Sequence, residues 1–186
     1  MILFIDACVR EESRTRRLAR HLLSRLEESA VELRLNGVSF PVADAAFLKK
    51  RDRLIAASEY DDPMFDLARQ FAAADQIVIA APYWDLSFPA ALKQFFEQIN
   101  VIGVTFRYSP EGVPVGLCKA RRLYYVTTAG GPILSDAPGY GYVEALAKGF
   151  YQIPEVRYVK AEGLDIVGAD VEGILRETEA QIDGLT

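Results

Sequence analysis

Residues 77–108, IVIAAPYWDLSFPAALKQFFEQINVIGVTFRY, decide the fold. Ile77, Val78, Ile79, Ala80 and Ala81 open the stretch as an unbroken apolar run, the length and composition of a strand buried on both faces. Pro82 then breaks the chain into an aromatic, polar loop of Tyr83, Trp84, Asp85, Leu86 and Ser87. Pro89 falls in the first turn of the next segment, where a proline removes no helical hydrogen bond. Leu92, Phe95, Phe96 and Ile99 follow at i, i+3, i+4 and i+7, one apolar stripe along an amphipathic helix. Strand, short loop and helix make half of a βαβ unit. In open α/β sheets, ligands collect in loops at the carboxyl ends of strands. Two adjacent aromatics and a carboxylate exceed what a loop needs merely to turn, although Tyr83 and Trp84 capping the core is the alternative use.

The same alternation extends in both directions. Residues 2–5, ILFI, read as a first, central strand followed by a loop over 6–13. Ser13 is placed to cap a helix running to about residue 28, with Leu18, Leu22 and Leu26 inward. Residues 31–35, VELRL, alternate at period two like an edge strand, and Asn36-Gly37 turns the chain. Residues 38–62 form an excursion with one helix expected around 54–58, and Asp62-Pro63 opens a further helix carrying Met64, Leu67, Ala68 and Phe71. Residues 101–120, punctuated by Gly103, Pro110, Gly112, Pro114 and Gly116, form a second excursion that leaves the sheet. A fourth strand over 123–127 ends at Thr128-Ala129-Gly130-Gly131-Pro132. A helix over 140–150, a fifth strand over 156–159 and a helix capped by Asp170 complete the chain. Five strands alternating with helices predict a single α/β domain over 1–186, a parallel, doubly wound sheet.

Composition narrows the function. The chain has 186 residues, 51% of them apolar, which suits one compact domain. A net charge of −5 argues against a general nucleic-acid or anionic-membrane surface, with Arg14, Arg16, Arg17 and Arg20 a local basic exception. No apolar run approaches the roughly 18 residues that span a bilayer. MILFIDA lacks a basic n-region and leads into a strand, so no signal peptide is expected. Cys8 and Cys118 form neither a CxxC motif nor a disulfide framework, which fits a reducing cytoplasm. His21 lies mid-helix beside the leucine stripe with no acidic or thiol residue at ligand spacing, so no metal site is expected.

Two strand-end loops besides residues 82–86 carry ligand chemistry. Residues 8–15 lead into a helix N-terminus, where free amides and the helix dipole favour an anion. Ser13 and Thr15 add hydroxyls there, and Arg14 or Arg10 adds charge. The loop has neither GxGxxG nor a Walker lysine. In residues 127–131, Gly130 and Gly131 permit close backbone approach to a ligand after the fourth strand.

Ala-Pro-aromatic-aromatic-Asp-x-x-x-Pro at 81–89, Leu92-Lys93 and GVTFRY at 103–108 together resemble the FMN-dependent NADH:quinone oxidoreductase/azoreductase family. That resemblance implies a flavodoxin-like sheet of order 2-1-3-4-5, an FMN cofactor, and NADH or NADPH as electron donor. Hydride would pass through flavin N5 to a quinone or to azo or nitro aromatic acceptors, with no side chain as nucleophile. It further implies a cytoplasmic homodimer, and Phe106, Tyr108, Tyr140, Tyr142 and Tyr151 suit a partner surface as exposed aromatics. Residue by residue, Cys8, Ser13, Arg14 and Thr15 match the phosphate loop, while Pro82, Tyr83, Trp84, Asp85 and Leu86 match one ring edge. Thr128, Gly130 and Gly131 match the other edge, and Phe106 and Tyr108 the substrate pocket. Cys8 stands where the family has serine, Asp85 where it has asparagine, and Ala129 where a larger polar residue is common. An aspartate near O4 disfavours the electron-rich reduced ring, so Asp85→Asn is expected to raise the flavin potential.

Two alternatives use the same loops. A flavodoxin-type electron carrier would hold FMN without nicotinamide turnover. Cys8 through Thr15 also fits C-x5-R-[ST], and so resembles the low-molecular-weight tyrosine phosphatases, with Cys8 as nucleophile and Arg14 as phosphate clamp. Glu11 and Glu12 beside a phosphate dianion, and a loop without glycine, argue against that reading.

Overall fold

The computed structural model describes residues 1–185. In chain order its elements are β1 (Ile2–Asp6), α1 (Arg14–Leu26), β2 (Ala30–Arg34), α2 (Ala45–Ala56), α3 (Asp66–Ala73), β3 (Gln76–Ala80) and α4 (Ala90–Ile99). They continue with β4 (Phe106–Tyr108), β5 (Pro114–Gly116), β6 (Arg122–Thr128), α5 (Tyr142–Gly149), β7 (Glu155–Ala161) and α6 (Val171–Asp183). Five strands pair in parallel in the order β2-β1-β3-β6-β7, which is 2-1-3-4-5 for the strands of this sheet. The flavodoxin-like order expected from the motifs is therefore present.

Alternation along the strands divides the core in two. Leu3, Ile5, Ile77, Ile79, Leu123 and Tyr125 face Phe71, Leu92, Phe95, Phe96 and Val143 of α3, α4 and α5. Ile2, Phe4, Val78, Ala80, Tyr124 and Val126 face Leu18 and Leu22 of α1 and Leu175 and Ile182 of α6. Helices on both faces explain why β1 and β3 read as unbroken apolar runs, while the edge strand β2 is mostly exposed.

The excursions differ from expectation. In 38–62 the helix is α2, which begins at Ala45, well before residue 54, because the Asp44 carboxylate accepts from the Phe47 amide at 2.8 Å. Residues 101–120 build an antiparallel β4–β5 hairpin outside the main sheet. It rejoins the fold at the amino-terminal end of β3, where Lys119 N–H donates to Ala72 O and Arg121 N–H to Asp75 O. Two residues placed on a partner surface prove internal. Phe106 is 4% exposed and stacks on Phe150 with centroids 4.6 Å apart, and Tyr151 is buried with its hydroxyl on Asn100 Oδ1 at 2.6 Å.

Candidate functional site

A polar clip builds the first loop. Asp6 ends β1 fully buried, and Arg16 Nε meets its Oδ2 at 2.5 Å. The same guanidinium donates to the carbonyls of Cys8, Arg10 and Glu11 at 2.7–3.0 Å, while Asp6 Oδ1 accepts from the Cys8 amide at 2.9 Å. This pair, which the sequence reading did not identify, folds the loop back over α1. Ser13 caps that helix, its Oγ accepting from Arg16 N–H at 3.2 Å. The Arg14 and Thr15 amides of the first turn are left for an anion. Thr15 is buried, with Oγ1 2.6 Å from Thr128 Oγ1 across the cleft floor.

The second loop is a tight turn between Trp84 and Ser87, closed by reciprocal backbone bonds of 2.9 and 2.8 Å. Asp85 and Leu86 occupy its tip at φ 49° and 68°, the left-handed region that Asn, Asp and Gly tolerate best. The third loop accepts from the second, as Tyr83 N–H donates to Thr128 O at 3.0 Å. Its other side is zipped to the segment after β7 by bonds from the Gly163, Leu164 and Asp165 amides to the Gly131, Ala129 and Gly130 carbonyls. A Cβ on Gly130 would lie 2.4 Å from Asp165 Oδ2, so a larger residue there would push that carboxylate aside.

These loops enclose a cleft of about 320 Å³ at the carboxyl ends of the central strands. Cys8, Ser13, Arg14, Thr15, Pro82, Tyr83, Trp84, Thr128 and Gly130 line it, together with Leu164 and Asp165, which the sequence reading missed. Asp85, Leu86 and Gly131 adjoin the lining residues without lining the cleft, and Phe106 and Tyr108 belong to the hairpin and line no part of it. Arg14 Nη1 is held by Asp165 Oδ1 at 2.7 Å and Leu164 O at 3.2 Å. Cys8 is buried, its thiol pushed up to about 12 by desolvation, with Sγ 3.8 Å from Ala80 O. A nucleophile must be a thiolate. A buried Cys8 and an Arg14 already paired argue against the phosphatase alternative. His21, read as a helix-flank residue, has an acidic partner from a distant element, with Nε2 2.7 Å from Asp183 Oδ1.

The residues present suit a flavin mononucleotide. Amides without a helical partner stand at a helix N-terminus for the phosphate, with the Ser13 and Thr15 hydroxyls beside them, and Trp84, 38% exposed, offers a planar wall. The Tyr83 hydroxyl is buried without a partner among the described residues. The cleft also lies at the switch point between β1 and β3, where sheets of this order bind FMN.

A family model described as flavodoxin-like fold matches residues 1–185. The chain is 33% identical to an FMN-dependent NADH:quinone oxidoreductase of Lachnoclostridium phytofermentans over 95% of its own length and 92% of the relative's. The chain belongs to this family of FMN-dependent oxidoreductases. A relative of the same name from Coprothermobacter proteolyticus is 34% identical over 87% of this chain and 85% of its own. Identity rises to 44% with an enzyme of Clostridium acetobutylicum, over 63% of this chain and 60% of that protein. Among solved structures, an azoreductase from Bacillus anthracis superposes with a TM-score of 0.84 at 22% identity, covering 99% of this chain and 97% of its own. An FMN-dependent NADH-azoreductase from the same species, in complex with FMN, gives 0.80 at 21% identity, covering 99% and 98%. At those identities the likeness shows the fold alone.

Proposed function

We propose that the chain is one FMN-binding domain whose cleft presents the cofactor first to NADH and then to a quinone or an azo or nitro aromatic. The observation that supports this most strongly is the convergence of three strand-end loops, distant in sequence, on one cleft with anion donors at one end and Trp84 at the other. When bound, FMN supplies hydride acceptance from the nicotinamide and electron delivery to the acceptor. The chain's own part is positional. Ser13, Thr15 and the first amides of α1 hold the phosphate, and the Asp6–Arg16 clip keeps that turn in shape. Trp84 and the backbone of residues 128–130 would confine the ring edge, with the turn tip at Asp85 and Leu86 beside them. The Asp85 carboxylate adds negative charge beside that edge and lowers the potential.

The test is anaerobic. Protein loaded with FMN and desalted should retain the flavin bands, lose them on adding NADH, and recover them on adding a quinone. Loaded protein that NADH does not reduce would favour the flavodoxin-type carrier, and a protein that retains no FMN would overturn the reading.

The working form we propose is a cytoplasmic homodimer. Tyr108 is 47% exposed on the β4–β5 hairpin, and Val113 and Leu117, which flank β5, are exposed as well, apolar side chains suited to contact with a second copy. A monomeric mass in sedimentation at micromolar concentration would contradict it. Cys8 and Cys118 are unpaired, as a reducing compartment requires, and no helix among the described residues is long and apolar enough to cross a membrane.

A further inference from the structure

The geometry points to a positioning role for Asp165: it holds Arg14 away from the FMN phosphate, and so limits how strongly the cleft prefers FMN to riboflavin. This rests on the FMN reading above and concerns the phosphate end of the same cleft. Arg14 is the first residue of α1, set between Ser13 and Thr15, and its backbone amide belongs to the turn that receives the anion. A guanidinium there is placed to pair with a phosphate dianion by charge-assisted hydrogen bonds. Its Nη1 instead lies 2.7 Å from Asp165 Oδ1 and 3.2 Å from Leu164 O, on the opposite wall.

Asp165 is held in place to do this. Its amide donates to Gly130 O at 2.9 Å, and the two preceding amides make parallel bonds to Gly131 and Ala129. Its carboxylate lies against the bare α-carbon of Gly130, where any side chain would displace it. The other charged side chains lining the cleft, Arg10 and Glu12, are of opposite sign. With Arg14 neutralised by Asp165, the α1 turn itself offers the phosphate only neutral donors and the helix dipole. Arg14 and Asp165 are 43% and 69% exposed, so their pair contributes little to folding stability. Removing the carboxylate therefore leaves the fold in place while freeing the arginine.

Affinities for FMN and riboflavin, read by flavin fluorescence in the wild type, Asp165→Asn and the Asp165→Asn/Arg14→Gln double variant, test this. Asp165→Asn should bind FMN about tenfold more tightly, as expected for one unit charge released near a dianion at a partly exposed site. Riboflavin affinity should not move, and the gain should shrink as salt is added. The double variant, again without net charge at the pair, should return to the wild-type preference. An unchanged FMN-to-riboflavin ratio in Asp165→Asn, or an equal change for both flavins, overturns the proposal. A wild type that binds neither flavin overturns the FMN reading and this proposal with it.

Discussion

Two aromatic segments of this chain look alike in sequence and end in opposite roles. Residues 82–87 and 104–108 each set large aromatics beside polar residues after an apolar element. The first leaves β3 at its carboxyl end, and its Trp84 lines the open cleft. The second follows α4, which has already carried the chain back to the amino end of the sheet, and its Phe106 is packed under Phe150. One region is shaped by polar clips and left open, the other closed by ring packing. Which end of the sheet a loop occupies, more than its composition, decides whether its aromatics are available to a ligand.

That contrast can be broken by mutation. At the amino end, Phe106→Ala should cost about 3–5 kcal/mol of stability in denaturant unfolding, since it empties a buried, stacked ring position. FMN affinity of the molecules that remain folded should be unchanged; a loss of affinity without a loss of stability would reverse the assignment. At the carboxyl end the large effect belongs to a charge. Asp6→Ala strands Arg16 beside three carbonyls and should also cost about 3–5 kcal/mol, but with weaker FMN binding because the phosphate turn loses its support. Trp84→Ala should change stability by no more than about 0.5 kcal/mol, as its side chain is partly in water, while loosening FMN up to about tenfold.

The smallest expected effect compares one cysteine from each region. Desolvation pushes Cys8 and Cys118 each up to about 12, against roughly 8.5 for a free thiol. Native thiols should therefore resist alkylation at pH 8 while the denatured chain reacts at both. The neutral thiol is the form the fold favours, so the contribution is complete below about pH 8.5 and declines as pH rises from there toward about 12. Cys8→Ala and Cys118→Ala should each flatten the alkaline fall in melting temperature; an unchanged alkaline slope in either variant would place that thiol in water.

How far the sequence could be read follows from the same physics. β1, β3 and α4 were legible because a strand buried on both faces has no polar face to blur it, and because Leu92, Phe95, Phe96 and Ile99 make one stripe that is fully buried. α2 was misplaced because only Leu54 of its residues is buried, which leaves no stripe to mark its start, and the Asp44 cap was the signal overlooked. Within the cleft, the three loops could be found from their prolines, glycines and caps. The choice between Arg14 and Arg16 could not, since neighbouring arginines look the same until Asp6 at the end of β1 claims one of them. Asp165 was out of reach for another reason, being brought to Arg14 only by the pairing of β6 with β7 and the zipped segment beyond it.

Because Trp84 is the only tryptophan in the chain, its emission reports on the cleft wall alone. Titrating the flavin-free protein with FMN should quench that emission saturably, at one FMN per chain. Emission that stays constant while FMN is taken up would contradict a flavin site built from these loops.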